Sequence, residues 1–453
     1  MSSLLWLRRD LRLGDHPALL AARAAAAGEL TVLFVVDQTL WAGAGPVRRA
    51  WLAGSLRALD EDLDGGLTLR VGDPAEVVPA VVRETAATGV HVTRETTPFG
   101  ARRDGQVQGA LPGEVDWVET GTPYAVGPGV VRNGSGDPYK VFTPFAKAWR
   151  AHGWHQPAAY PVGLRATALG REPGADRLVD EALGSDDLPD LPPAGERAAL
   201  ARWKEFLEED LADYDRGRDR PAEDTTSRMS AYLKIGAVHP RTLLDDLAGQ
   251  GGRSVERFVS ELAWREFYAD VLHHHPRSAW ADLRQELSGL RYDEPDDAIE
   301  AWKQGQTGYP IVDAGMRQLL STGWMHNRVR MITASFLTKD LHVWWPVGAR
   351  WFLERLVDGD VASNNHGWQW VAGTGTDAAP YFRVFNPVLQ GERFDPRGEY
   401  VRRWVPELAH VPGKATHQPW DHPEGYDKGY VRRIVDHAEE RRDALARYRA
   451  ARG

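Results

Sequence analysis

Cysteine is absent from the 453 residues of this chain. Disulfide bonds, thiolate metal sites and cysteine nucleophiles are therefore excluded, because each of them needs a cysteine sulfur. Long apolar runs are also absent, and none approaches the roughly 20 residues that a transmembrane helix requires. The N-terminus has a short apolar run followed by arginine and aspartate, the reverse of a secretory signal. We expect a cytoplasmic protein with no membrane partner.

The chain also lacks a net positive charge, since its formal charge is −9 at pH 7. This argues against a uniformly basic surface that wraps nucleic acid without specificity. A local basic groove stays possible, because binding follows the local field rather than the total charge. Only 8 of the 55 basic residues are lysines. A GC-rich genome explains this bias, although arginine also suits phosphates and stacked rings better than lysine does.

Tryptophan, by contrast, is abundant, with 18 residues. Trp302, Trp345, Trp368 and Trp370 lie in one C-terminal stretch that is also rich in Asn, Asp, Arg and Gly. Indole provides a flat stacking surface, one N–H donor and an oxidisable ring. Core packing explains any one of these residues, but the group in polar surroundings favours a chemistry of flat rings.

Apolar runs alternate with amphipathic segments through the first 130 residues, which predicts an α/β domain with a doubly wound parallel sheet. No G-x-G-x-x-G or Walker loop occurs there, so the sequence does not support nucleotide binding through a phosphate loop. The predicted strands are 3–7, 30–37, 67–71, 89–93 and 115–118, and the predicted helices are 16–28, 47–62 and 74–87.

The remaining sequence predicts two further regions. Residues 131–195 form an interdomain linker in this interpretation, because prolines, glycines and acidic residues concentrate in its second half. Strand signals then vanish, and amphipathic helical patterns predict an all-α domain over 196–453.

One predicted helix lies in the string SVERFVSELAWREFYADVLHHHP, with Ser254 as its N-cap. Glu261, Trp264, Arg265 and Tyr268 are spaced i, i+3, i+4 and i+7, so they share one face. A solvated or salt-bridged face is the simpler explanation. The combination of an acceptor, a stacking ring and a cation nevertheless suits a flat polar ligand.

Two other segments carry polar clusters. The string WMHNRVRMITASFLTKDL places Asn327, Arg330 and Met331 on one face, with Gly323 ending the preceding helix. The run 273–275 of three histidines is interpreted as a helix C-terminal cap rather than a metal site. The two carboxylates in the string DGDVASNNHGWQW are possible metal ligands, but the string lacks the spacing of a calcium loop. Binding of ligand hydroxyls by its polar groups is the equal alternative. These groups are Asp358, Asp360, Asn364 and Asn365.

Together, these strings resemble the DNA photolyase/cryptochrome family, specifically its bacterial class I cyclobutane pyrimidine dimer photolyases. The resemblance follows family order along essentially the whole chain. It implies an α/β antenna domain and a helical domain that holds FAD. In that family, reduced FAD excited by blue light passes one electron to a dimer flipped out of UV-damaged DNA, and the electron returns after the dimer splits. The matching strings include WLRRDLRLGDHPAL, TSRMSAYLKIGAVHPR, GYPIVDAGMRQL and GWMHNRVRMITASFL.

The resemblance also assigns roles to individual residues. Asn364 matches the residue that faces flavin N5, where an amide donates or accepts a hydrogen bond. Glu261 matches the acid that binds the bases of the dimer. Trp264 and Trp370 match the rings against which the dimer rests. The other matches to FAD-binding positions are Tyr214, Thr226, Ser227, Arg228, Met229, Ser230, Arg265, Asn327, Arg330, Asp358 and Asp360.

Arginines at the cavity mouth match positions that meet phosphates, namely Arg218, Arg328, Arg383 and Arg393. Trp368, Trp345 and Trp302 match an electron relay that reduces oxidised FAD in light, with core packing as the alternative for each. Repair enzymes for the (6-4) photoproduct carry two histidines near the lesion. The matching positions here are Asn327 and Met331, which favours cyclobutane dimers.

Three further expectations complete the resemblance. His366 stands where many relatives have glycine, either as a benign variant or as a residue that tunes the flavin. The segment 97–107 resembles deazaflavin-binding relatives, so a deazaflavin (8-HDF) is the expected antenna, with a reduced folate (MTHF), a second flavin or no antenna as alternatives. We expect a monomer, and a cryptochrome without repair activity is the alternative function. The antenna candidates are Arg8, Arg9, Asp10, Phe99, Arg103 and Asp104.

Overall fold

The computed structural model describes residues 2–26, 28–186, 188–377 and 383–452. The chain divides into two compact units, each built from two stretches of sequence. Unit 1 comprises Met1–Glu208 with Ser227–Pro276, and unit 2 comprises Glu209–Thr226 with Arg277–Gly453. Among the described residues, no helix is long and apolar enough to cross a membrane.

A parallel sheet forms the centre of unit 1, and the predicted α/β class is confirmed. Its order is β3-β2-β1-β4-β5, counted over the described residues. The central strand β1 is almost wholly buried because both of its edges are paired and both faces are covered. The strands are β1 Ser2–Leu7, β2 Glu29–Asp37, β3 Leu67–Gly72, β4 Ala87–Val92 and β5 Asp116–Glu119.

Helices make up most of the remaining described chain. The first twelve are α1 Pro17–Ala25, α2 Gln38–Ala42, α3 Pro46–Asp62, α4 Pro74–Thr85, α5 Pro98–Ala110, α6 Phe142–His152, α7 Pro173–Leu183, α8 Glu196–Glu205, α9 Tyr214–Gly217, α10 Met229–Ile235, α11 Pro240–Asp246 and α12 Arg253–His274. The others are α13 Asp296–Lys303, α14 Pro310–Thr322, α15 Asn327–Ser335, α16 Trp345–Arg355, α17 Val361–Ala372, α18 Pro387–Phe394, α19 Glu399–Trp404 and α20 His437–Arg452.

Proline explains two differences from the sequence-based expectation. Helices α5 and α7 begin at Pro98 and Pro173, where proline occupies the first helical turn and has no hydrogen bond to lose. Helix α7 thus lies inside the predicted linker. The predicted N-cap Ser254 is wrong, because α12 begins at Arg253 after Gly252. The helix end at Gly323 is confirmed, with φ of 64°.

Unit 2 is organised around a core of large aromatic side chains, which includes Trp302, Trp345, Phe352 and Trp368. Helices α13, α16 and α17 supply these rings, as predicted for an all-α region. Helix α12 belongs to unit 1, so the limits of the two compact units do not coincide with the predicted domain limits at residues 130 and 195. Those domain limits stay a prediction.

Candidate functional site

The acidic segment before α17 is held by its own partners. Asp358 accepts hydrogen bonds from Nη1 and Nη2 of Arg330 at 3.1 and 2.9 Å, and Asp360 caps α17 through the N–H of Ser363. Arg330 is anchored in turn by its Nε donating to the carbonyl of Met325 at 2.8 Å. Both carboxylates therefore have structural partners, which favours the non-metal interpretation of this segment.

Asn364 lies one turn into α17 and is half-buried. Its Nδ2 donates to the carbonyl of Ala349 at 3.1 Å and to Oδ1 of Asn365 at 2.8 Å. The amide nitrogen of Asn364 is therefore engaged within the protein. Asn365 is fully buried and donates to the carbonyl of Ala279, so the two amides form one fixed unit.

Trp368 lies at the centre of the aromatic cluster. Its ring contacts Phe352 at 5.0 Å and Trp302 at 6.1 Å between centroids. Its Nε1 is buried, and no hydrogen-bond partner for it occurs among the described residues. Trp302 is fully buried and donates from Nε1 to the carbonyl of Thr333 at 3.0 Å.

Trp345 begins α16 and donates from Nε1 to Oδ1 of Asp282 at 2.7 Å. Its ring lies 6.4 Å from Trp344, which lies 6.5 Å from Tyr292. Sequence inspection missed Asp282 and Tyr292, because each is more than 50 residues from Trp345 and no local pattern links them.

Two other side chains of α17 have defined partners. Trp370 donates from Nε1 to the carbonyl of Asp377 at 3.1 Å. His366 is buried, with Nδ1 2.7 Å from the carbonyl of Ala362 and Nε2 2.9 Å from Oγ of Ser278. Because a carbonyl only accepts, Nδ1 carries a proton, while Nε2 shares a hydrogen bond with the hydroxyl of Ser278. The histidine therefore joins α17 to Ser278.

The predicted phosphate-binding arginines partly come together in unit 2. Arg328 and Arg393 stack on the ring of Phe394, with Cζ atoms 4.5 and 5.1 Å from its centroid. Arg328 also pairs with Asp219 at 2.7 Å, and Arg218 lies over Tyr214 at 5.9 Å. Phe394 was not predicted, although its position next to Arg393 was visible in the sequence.

Arg383 lies elsewhere in unit 2, exposed at the wall of a cavity of about 770 Å³ that Gln390, Arg441 and Arg442 also line. Asn327 begins α15 and is exposed. Met331 follows one turn later, with Sδ 3.7 Å from Nη1 of Arg328.

His326 caps α15 by accepting the N–H of Arg328 at 3.2 Å. Burial lowers its pKa to about 3, and the positive charges of Arg328 and Arg330 act in the same direction. This imidazole is therefore neutral at physiological pH.

In unit 1, an indole on the polar face of α12 stacks on a ring at the start of α6. Trp264 lies parallel to Phe142, with centroids 3.7 Å apart and an interplanar angle of 8°. Tyr268 contacts the same indole at 5.2 Å. Glu261 lies one turn before Trp264 and is half-buried. This face thus combines a carboxyl group with an indole that already binds a flat ring.

Arg265 and Glu266 hold α12 against a loop. Arg265 donates to the carbonyls of Pro123 and Leu233 at 3.0 and 3.1 Å, with Cζ 4.5 Å from the ring centroid of Tyr124. Glu266 accepts from the N–H groups of residues 125–127, and burial raises its pKa. Arg265 was predicted to contact the flavin, and in unit 1 it binds main-chain carbonyls. No sequence signal marked Glu266.

The predicted phosphate turn falls across the two units. In unit 2, Thr226 is preceded by Thr225, whose buried Oγ1 has no hydrogen-bond partner among the described residues. In unit 1, Arg228 adopts a left-handed conformation with φ of 57°, and Ser227 Oγ accepts the N–H of Met229 at 3.3 Å. Ser230 follows in the first turn of α10, a helix of seven residues.

The antenna candidates gather at the carboxyl ends of β1 and β4, where ligands bind in doubly wound sheets. Arg8 pairs with Asp104 at 2.7 Å and donates to the carbonyl of Thr93 at 2.6 Å. Arg103 pairs with the same carboxylate at 2.8 Å. Both guanidinium groups lie over Trp6, at 4.7 and 5.0 Å. We call Trp6, Arg8, Arg103 and Asp104 the sheet-edge cluster.

Neighbouring charges extend the sheet-edge cluster. Arg9 binds Glu95 through two hydrogen bonds of 2.9 and 2.8 Å. Burial alone raises the pKa of Glu95, but Arg9 outweighs it and lowers this pKa to about 2. Asp10 pairs with His16 at 3.4 Å, and Phe99 is exposed. Trp6 and Glu95 were missed, although both adjoin predicted residues in sequence or space.

Comparison with known proteins gives matches over nearly the whole chain. Residues 3–162 match the family model described as DNA photolyase, and residues 258–450 match the FAD binding domain of DNA photolyase. A deoxyribodipyrimidine photo-lyase of Streptomyces griseus is 44% identical, with 98% of this chain and 97% of the relative covered.

Two solved structures extend the similarity to the fold. A bacterial class III photolyase from Agrobacterium tumefaciens has a TM-score of 0.92 and 36% identity, and covers 100% of this chain and 98% of its own. A cryptochrome of Synechocystis has a TM-score of 0.86 and 28% identity, with 98% of each chain covered.

Proposed function

Because this chain belongs to the DNA photolyase family, we propose that it repairs cyclobutane pyrimidine dimers in DNA by blue-light-driven electron transfer. The observation that carries this proposal is the Trp264–Phe142 stack one turn after Glu261. Here an indole stacks face to face on a flat ring, one helical turn from a carboxyl group. Binding of a flipped-out dimer needs both a stacking surface and a hydrogen-bonding group for its bases. Stacking of a base on an aromatic ring is worth about 1–3 kcal/mol.

The residues of this chain fit FAD, a cofactor with many polar atoms. The buried Nε1 of Trp368 and Oγ1 of Thr225 have no partner among the described residues, and such groups normally find one. Bound FAD supplies the electron that opens the dimer when it is reduced and excited by light. The residues that would hold it are Tyr214, Thr226, Ser227, Arg228, Met229, Ser230, Arg265, Asn327, Arg330, Asp358, Asp360 and Asn364.

The protein's own groups orient the substrate. The carboxyl group of Glu261 hydrogen-bonds the bases, Trp264 and Trp370 stack on them, and Arg218, Arg328, Arg383 and Arg393 bind phosphates. Stacking on Phe394 holds two of these guanidinium groups flat, which suits them to phosphate oxygens.

The choice of lesion follows from the lack of an acid in the α15 region. Asn327 and Met331 hold no titratable proton, and the nearby His326 stays neutral because burial lowers its pKa to about 3. A (6-4) photoproduct needs a proton donor, whereas a cyclobutane dimer does not. The cyclobutane dimer is therefore the substrate that these residues support.

A second chromophore fits the sheet-edge cluster of unit 1. Arg8, Arg103 and Asp104 present fixed charges beside the Trp6 ring. A deazaflavin matches this combination of flat ring and polar edges, and a reduced folate is the alternative.

The test is the dimer content of a UV-damaged thymine oligonucleotide, incubated with chemically reduced holoenzyme in blue light and in darkness. We expect loss of dimers in light only, and about a tenfold lower yield per absorbed photon in Glu261→Ala with FAD retained. Glu256→Ala, an exposed glutamate of the same helix, is the matched control. No loss of dimers with FAD bound would contradict repair and favour a cryptochrome.

A further inference from the structure

The cavity beside Arg383 lies between two stretches of unit 2, the segment 383–390 and the residues 437–445 of α20. We call it the α20 cavity. Its volume of about 770 Å³ falls within the roughly 300–1,000 Å³ that is usual for small-molecule sites. Of its described lining residues, the proposed function uses only Arg383.

The lining of the α20 cavity is positively charged. Arg383, Arg441 and Arg442 contribute three guanidinium groups, and none of the described lining residues is acidic. Nη2 of Arg442 lies 3.9 Å from Oε1 of Glu439, but both side chains are exposed, so water and salt screen this pair. Arg383 and Arg441 have no ion pair among the described residues. A concave site of one sign attracts a ligand of the other, and guanidinium groups match phosphate oxygens.

Apolar side chains line the same cavity. Phe385 and Leu445 are half-buried, and Leu389 is 58% exposed. A ligand that covers Leu389 is stabilised, because apolar surface then leaves water. A molecule with both a phosphate and a flat ring therefore satisfies both parts of the lining.

His437 is the buried member of the described lining, with 8% of its surface exposed. Its Nδ1 shares a hydrogen bond with Oδ1 of Asp340. Its buried Nε2 has no hydrogen-bond partner among the described residues, although buried polar atoms normally have one. A polar group of a bound ligand would supply that partner.

Both walls of the cavity are held from outside it. The N–H of Phe385 donates to Oγ of Ser335 at 3.2 Å, which ties the segment 383–390 to α15. Helix α20 is tied to the preceding chain by Arg447, which pairs with Asp293 at 2.8 Å. A site that is already formed loses less conformational freedom when a ligand binds.

We propose that the α20 cavity binds one nucleotide, with its phosphate on Arg441 and Arg442 and its base against Leu389. In a member of a family that acts on DNA, a nucleotide is the ligand that combines a phosphate with a flat ring. It is either free in solution or part of a DNA strand outside the lesion, because both present the same groups. The inference goes beyond the proposed function, since binding here needs neither light nor a dimer.

The first experiment is isothermal titration calorimetry of the holoenzyme in darkness with deoxyadenosine monophosphate (dAMP) and, separately, with inorganic phosphate. We expect dAMP to bind more tightly than phosphate, because it also covers Leu389. Arg441→Gln should weaken dAMP binding about tenfold, the effect of losing a hydrogen bond to a charged group. Arg449→Gln, an exposed arginine of the same helix outside the cavity, is the matched control and should bind as the wild type does. Equal affinities of the two variants, or no binding of dAMP, would overturn the proposal.

A second variant separates the ring from the phosphate. Leu389→Ser removes apolar surface from a side chain that is largely exposed, so the fold does not depend on it. We expect about threefold weaker binding of dAMP and an unchanged affinity for phosphate. An equal loss for both ligands would overturn the assignment of a nucleotide.

An undamaged single-stranded oligonucleotide identifies the source of the nucleotide. If the cavity holds a nucleotide of DNA, the oligonucleotide competes with dAMP, and Arg441→Gln binds it more weakly than Arg449→Gln does. If the cavity takes a free nucleotide, dAMP and the oligonucleotide bind together, and the two variants bind DNA alike. Both results support the site. Dimer repair is measured separately in light, so failure of repair and failure of this site are different results.

Discussion

The sheet-edge cluster of unit 1 and the tryptophan cluster of unit 2 are built in different ways. The first consists of ion pairs, with Arg8 and Arg103 sharing Asp104 above Trp6. The second consists of close-packed rings, in which Trp368 contacts Phe352 and the backbone at Gly348. A charged edge responds to changes of charge, whereas a packed core responds to changes of volume.

The largest expected effect is a change of volume in the tryptophan cluster. Gly348→Ala places a Cβ against Trp368 and Leu337, so we expect the free energy of unfolding to fall by about 1–3 kcal/mol. We also expect the variant to lose bound FAD. Thermal unfolding and the ratio of flavin to protein absorbance measure both. Gly109→Ala in α5, where the added atom meets nothing within 4 Å, is the control and should gain about 0.5–1 kcal/mol. Equal behaviour of the two variants would contradict close packing at Gly348.

A smaller effect is expected for a change of charge at the sheet edge. Arg8→Met keeps much of the side-chain volume and leaves Asp104 with Arg103 alone, so we expect about tenfold weaker retention of the second chromophore, or about 1.4 kcal/mol. Chromatography of released chromophores measures this, and FAD content should not change. The exposed Arg102→Met is the control. Simultaneous loss of FAD would show that the two clusters are coupled.

The smallest expected effect concerns pH. Burial lowers the folded-state pKa of His326 to about 3, below an unfolded value of about 6.5. Its contribution to stability is therefore complete above pH 6.5 and is lost as the pH falls toward 3. Glu95, with a pKa of about 2, keeps the sheet edge charged over the same range.

His326→Asn keeps a side chain that caps α15 and removes this titration. We expect the fall in Tm between pH 7 and pH 5 to shrink by about 2 °C. The exposed His155→Asn serves as the control and should leave the fall as it is. An unaltered fall in His326→Asn would mean that other groups, not this imidazole, cause the acid sensitivity.

Periodicity was enough to predict the sheet and the helical C-terminal part, because buried strands and amphipathic helices leave local patterns. Helix α7 was missed because Pro173 indicates both a linker and a helix start. The partners of predicted residues were harder to find. Asp282 reaches Trp345 across 63 positions, and Glu266 binds a loop about 140 residues away. Such contacts depend on tertiary packing and leave no periodic signal.

Under the proposed function, the ring of Phe142 on Trp264 has a consequence for the affinity of bases. A nucleobase that stacks on the same indole face enters by exchange, since it must first displace a bound competitor. An aromatic pair is worth about 0.5–1.5 kcal/mol, so this competition weakens every such base by about two- to tenfold. Because this penalty is the same for every base, it lowers affinity overall and leaves the preference for distorted over intact DNA to the cost of opening the duplex.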